Sequence, residues 1–283
     1  MTWWCSARGV AWSWSWQAYP GVWIFVVCLI AGYLWAITRA SDITGSTSSP
    51  TTSRREVALF FVGMFALWLA LDWPIGALGA GYLLSVHQVQ YLLLVMIAPP
   101  LLLLGTPVWL ATWMTHRRSL HRVMRFVVRP VPAILICNAI VVLTHLPTAV
   151  DGLMPTQLGS FAVDMAWLLG GLVLWWPVIR PLPETGSLSY PARFGYLLAA
   201  TLIPGIPAAF YFFADYPIYA LYELAPPVGM LSALDDQFLA GIIMKAGSFV
   251  VILLALSILF FRWHRADGGV EEGIVLPGAV TDL

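Results

Sequence analysis

His87 and His145 are the side chains in this sequence best suited to hold a metal. Each lies in an apolar run, "SVHQVQYLLLVM" and "VVLTHLP". Two imidazoles on separate segments can clamp an ion, with Asp236 or Met244 as a further donor. Imidazole with thioether suits copper, and imidazole with carboxylate suits several divalent ions. Two histidines can also ligate a haem iron from its two faces. Other polar groups stand in similarly apolar surroundings: Tyr91, Asn138, Asp164, Gln237 and Lys245. A charge in the middle of a bilayer costs at least about 2.5 kcal/mol, so such groups normally face a bundle interior and find partners. The spacing belongs to no metal motif, and there is no HExxH, P-loop, nucleophile elbow or CxxC. No enzymatic reaction is therefore expected.

The elements that carry these residues are membrane helices. The chain has 283 residues, 60% hydrophobic and 10% charged, with a mean hydropathy of +0.83. A soluble domain carries about 25% charged residues. Seven runs are long enough to cross a bilayer, near 21–38, 56–72, 80–98, 128–146, 160–179, 193–213 and 237–262. The expected fold is an all-α integral membrane protein, a bundle of seven transmembrane helices. Twelve of the fourteen basic residues fall on one side of that arrangement, leaving only Arg8 and Lys245. The positive-inside rule then places the N-terminus outside and the C-terminus in the cytoplasm. At 1.5 Å per residue, His87, His145, Asp164, Asp236, Gln237 and Asp72 all fall toward the outer ends of five spans. One shared polar pocket opening outward is the economical reading.

The rest of the chain frames that bundle. Residues 1–20 read as an outer, Trp-rich interfacial segment, 21–265 as the membrane domain and 266–283 as a cytoplasmic tail. "TGSTSSPTTS" (44–53) reads as a flexible linker. Pro99-Pro100 reads as a kink closing span three, with the residues after it in or along the inner leaflet. Cys5, Cys28 and Cys137 imply no disulfide framework, and no removable signal peptide or internal repeat is expected. The net charge of zero gives no reason to expect nucleic acid as a partner.

On the stretches "SVHQVQYLLLVMIAPPLLLLGTPVWL", "THLPTAVD", "GGLVLWWPVIRPLP", "LSYPARFGYLLAAT", "FFADYPIYALY" and "DDQFLAGIIM", the chain resembles the multi-span bacterial CtaG family. These are described as cytochrome c oxidase assembly factors. The resemblance runs from about Trp14 to Trp263. It implies a multi-pass protein of the bacterial plasma membrane that assists biogenesis of haem–copper oxidases through copper handling at the outer face. It makes oxidase subunits, or another membrane redox complex, the partners. Three positions depart from the family pattern. Tyr91 stands where a second histidine is usual, Val163-Asp164 where Glu-His is usual, and Lys245 where tryptophan follows "GIIM". His87, His145, Asp236 and Gln237 match. The resemblance thus implies either a copper site at His87, His145 and Asp236 or Met244, or a metal-free accessory subunit. In the second reading a Lys245–Asp164 ion pair and the Tyr91 hydroxyl replace ligands. A small-solute or proton carrier built on Lys245 and Asp164 is the third alternative.

Overall fold

An apolar segment in a bilayer has no water to bond with, so its backbone closes hydrogen bonds on itself as helix. The computed structural model describes residues 2–45, 51–179, 182 and 188–271, and among these there is no strand. Five helices are long and apolar enough to cross a membrane: Pro20–Thr38, Leu84–Gly105, Gln157–Ile179, Tyr190–Phe213 and Ala233–Arg265. Two bent pairs bring the number to seven when each is taken as one span. These are Arg54–Leu71 with Ile75–Gly81, at 42°, and Arg118–Val127 with Pro130–Thr144, at 82°. In chain order they are spans one to seven.

Span three is the hub, packed on spans two, five and seven. Its neighbours approach through glycines. A Cβ on Gly171 would sit 2.6 Å from the Val95 carbonyl, and one on Gly105 would run into the Phe60 backbone. Small residues are what let helix backbones close up in a membrane, where no hydrophobic force draws them together.

The proline pair does not end span three; the helix runs on to Gly105. A π-helical bulge, Leu92–Ile97, precedes Pro99-Pro100 and places them in the first turn of the next helical segment. Missing N–H groups cost little there. Val95, whose carbonyl would have bonded to residue 99, instead accepts from the Trp175 indole at 3.1 Å. A second bulge, Ile243–Gly247, interrupts span seven, with Gly247 lying against Leu92 of the first. Beyond Gly105 a short helix, Val108–Met114, leads to the basic helix Arg118–Val127. Its 82° angle to Pro130–Thr144 lays it across the end of the bundle.

The ends of the chain differ from expectation in detail. Trp14 and Trp16 are exposed, whereas Trp4, Cys5 and Ser6 are buried. The segment is tied in by the Gly21 amide donating to the Trp3 carbonyl at 2.8 Å. At the far end the last helix continues to Glu271, inside the expected tail. Residues 272–283, the linker residues 46–50 and Arg180 lie outside the described residues.

Candidate functional site

His87 and His145 meet. Their rings are 6.1 Å apart between centroids, and both are buried. His87 sits one turn into span three, and His145 follows the last residue of Pro130–Thr144. Three aromatic rings enclose them. Trp167 stacks on His145 at 5.4 Å and lies 4.8 Å from His87. Tyr91 meets His145 edge-on at 5.5 Å, and Tyr222 lies 5.9 Å from His87. Trp167 is fixed by its indole N–H, which donates to the Thr144 hydroxyl at 2.8 Å.

Hydrogen bonding settles one tautomer. His145 Nδ1 lies 2.7 Å from the Val141 carbonyl, which can only accept, so Nδ1 carries the proton. Nε2 is then left as a buried lone pair with no partner. Neither nitrogen of His87 is hydrogen-bonded. The Gly79 carbonyl is close to it but outside hydrogen-bond geometry, and already accepts from the Tyr222 hydroxyl at 2.6 Å. Buried polar atoms without partners are rare enough to need an explanation. A histidine held through Nδ1–H to a carbonyl, with Nε2 free, is the usual posture of a metal ligand.

The loop between spans six and seven closes over this pair. Tyr219 donates to the His145 carbonyl at 2.7 Å, so its hydroxyl accepts from Tyr211. Burial pushes the Tyr219 and Tyr222 hydroxyls above the ordinary tyrosine value, so both remain donors. Asp151 accepts from the Leu221 amide at 2.9 Å, and Gln237 bonds Ile218 N–H and the Tyr216 carbonyl. "THLPTAVD", "FFADYPIYALY" and "DDQFLAGIIM" thus meet at one place. Gln237 is a loop anchor.

The other candidates do different work. Asp236 caps span three from span seven, accepting from Leu84 N at 2.6 Å, Ser85 N at 3.3 Å and the Ser85 hydroxyl. Its oxygens are engaged there, and among the described residues no three His, Cys, Asp or Glu side chains gather as a metal site. Asp235 is exposed and pairs with Ser232. Asp72 is completely buried rather than solvated. Asp164 accepts from the Trp4 indole at 2.7 Å and the Gln90 amide at 2.9 Å. The Lys245–Asp164 ion pair of the metal-free alternative is therefore corrected: Trp4 and Gln90 engage Asp164, and among the described residues no salt bridge joins it to Lys245. Lys245 lies in the second bulge on an exposed face, its ammonium toward Gly205. Tyr91, Asn138, Met244, Lys245 and Ser248 line a neighbouring cavity of about 60 Å³, with Tyr91 the wall it shares with the histidine pair. Trp4, Trp167, Tyr219 and Tyr222 do not stand out in the sequence as site residues. Trp167 had one available signal, its place one turn after Asp164.

A helical membrane bundle with an aromatic-walled histidine pair buried at one end is the class these features define. The chain belongs to the cytochrome c oxidase caa3 assembly factor family (Caa3_CtaG), whose sequence model matches residues 31–266. It is 26% identical over 256 residues to uncharacterized proteins of Mycobacterium bovis and Mycobacterium tuberculosis, covering 77% of this chain and 37% of each relative. It is 24% identical over 276 residues to an uncharacterized protein of Mycobacterium leprae, covering 86% of this chain and 37% of that one. The chain therefore spans well under half the length of these relatives. No solved structure matches it.

Proposed function

We propose that this chain assists assembly of a haem–copper oxidase by holding copper, as cargo, between His87 and His145. The observation that carries the reading is the set of three buried ring nitrogens without partners, on imidazoles that face each other. With Asp236 engaged as a cap, the donors left are imidazoles, a set that suits copper better than hard cations. Lys245 is exposed, and its ammonium lies beside Gly205 rather than among the rings that enclose the two imidazoles. Twelve of fourteen basic residues fall away from the histidine end, which by the positive-inside rule faces outward from a bacterial plasma membrane. One feature favours the second reading, a metal-free accessory subunit of a respiratory or photosynthetic complex. Tyr91 occupies a wall of the pocket and Trp167 packs on both imidazoles, as in a purely structural aromatic cluster.

The test is to load the purified full chain with cuprous ion under reducing conditions and measure metal per chain against a competing chelator. One copper per chain, lost in both His87→Ala and His145→Ala, is the expected result. No stoichiometric copper, or copper retained in His87→Ala, overturns the cargo reading in favour of the metal-free one. A haem absorption band overturns both. Co-purification with oxidase subunits only during their synthesis distinguishes an assembly factor from a resident subunit.

A further inference from the structure

The other end of the bundle carries a second device. The basic helix Arg118–Val127 has two faces. Arg118, His121, Arg122 and Arg125 recur at i, i+3, i+4 and i+7, while Leu120, Val123, Met124 and Val127 lie opposite. The helix lies at 82° to Pro130–Thr144, across the bundle rather than along it. Its apolar side closes a trough of about 540 Å³ whose walls include Leu29, Met64, Leu103 and Leu169, with Leu120 and Met124 from the helix itself. That volume is within the range of small-molecule sites. The lining is almost entirely apolar. One exception is the Trp176 side chain, whose buried indole N–H has no acceptor. Its basic side, with Arg129, forms a second depression of about 490 Å³ lined by Arg118, His121, Arg122, Arg125 and Phe126. Among the described residues no carboxylate pairs with any of these arginines.

We propose that these two depressions are one site for an anionic phospholipid. Its acyl chain lies in the apolar trough and its phosphate on the arginine face. A single helix separates the two halves, so one molecule with a phosphate joined to hydrocarbon reaches both. Guanidinium forks match phosphate oxygens in bidentate geometry. The indole of Trp176 supplies a donor for an ester carbonyl. A peptide or free phosphate would fill one half only. The lipid would stiffen the connection between spans three and four from the end opposite the histidine pair.

The experiment uses the purified, delipidated full chain in mild detergent, titrated with dioleoyl-phosphatidylglycerol or dioleoyl-phosphatidylcholine, with retained lipid counted by native mass spectrometry. Each arginine near an anionic lipid contributes about fivefold in affinity. Phosphatidylglycerol is expected to be retained about tenfold or more over phosphatidylcholine. Arg122→Gln with Arg125→Gln is expected to abolish that preference, and Arg122→Lys with Arg125→Lys to keep part of it with the fold intact. Leu120→Ser with Met124→Ser is expected to lower retention of both lipids. Equal retention of the two lipids overturns the proposal, as does an unchanged preference in the glutamine variant. Displacement of phosphatidylglycerol by inorganic phosphate in wild type assigns the site to the headgroup alone and overturns the two-part assignment.

Discussion

Trp4→Phe combined with Asp164→Leu tests the central polar contact of the bundle. Trp4 is fully buried, with its ring 4.9 Å from Phe161 and 6.2 Å from Phe25. Phenylalanine keeps most of that packing and removes only the indole N–H that donates to Asp164 at 2.7 Å. Asp164 then retains one donor, Gln90. A hydrogen bond contributes about 0.5–1.5 kcal/mol net, and up to about 3 kcal/mol where one partner is charged. Couplings between helices in membranes average about 0.6 kcal/mol and reach about 1.7. Complete burial of both partners argues for the upper end, so a double-mutant cycle should return about 1.5 kcal/mol. Trp4→Phe alone should cost about 2 kcal/mol, because it leaves a buried carboxylate oxygen unpaired. Reversible unfolding of the protein in detergent supplies the four free energies. A parallel cycle between Asp164→Leu and Lys245→Met should return less than about 0.3 kcal/mol, the additivity of sites that do not interact. A Lys245 coupling larger than the Trp4 coupling, or a Trp4 coupling below about 0.5 kcal/mol on the same scale, would refute this assignment.

Asp236→Ala should destabilise by about 3 kcal/mol, since it strips the cap from span three and orphans two buried amides. Hydrogen exchange at Leu84 and Ser85 should accelerate in step, and Asp236→Asn should recover part of both. Gly171→Ala should cost about 1–3 kcal/mol in unfolding experiments, because its Cβ would meet the Val95 carbonyl at 2.6 Å. Gly152→Ala, in open space within a helix, should instead stabilise by up to about 1 kcal/mol. Cys5 donates its thiol to the Leu71 carbonyl at 3.2 Å, and burial pushes its pKa well up, with Asp164 and Asp72 pushing the same way. Maleimide should leave Cys5 unmodified near pH 8 until Trp4→Ala loosens the segment. The folded state holds this thiol neutral more strongly than the unfolded chain does. Its contribution to stability is therefore fully present below about pH 8.5 and lost as pH rises above that value.

Depth was legible in the sequence, and direction around each helix was not. Apolar run lengths fixed a helical membrane bundle, and a rise of 1.5 Å per residue put His87, His145, Asp164 and Asp236 at one end. That was enough to bring the histidine pair forward as a candidate. The partners went differently: Asp164 took Trp4 and Gln90, Asp236 took the amides of span three, and Lys245 turned outward. A π-bulge inserts an extra residue into the helical turn and rotates the rest of the helix by roughly a quarter of a turn. Lys245 stands inside such a bulge, so its depth alone does not tell which way it faces. The prolines of span three misled for the same reason, because the bulge before them accommodates what a straight helix would not. The hydrogen-bonding of Trp4 depends on a segment of no regular structure folding back over 160 residues of sequence. The sequence by itself determined the solvent, the helices and the end at which polarity gathers, because those depend only on position along a line. Only tertiary packing decided which polar atoms are satisfied and which are left facing one another at His87 and His145. That depends on rotation, bulges and distant segments meeting in three dimensions.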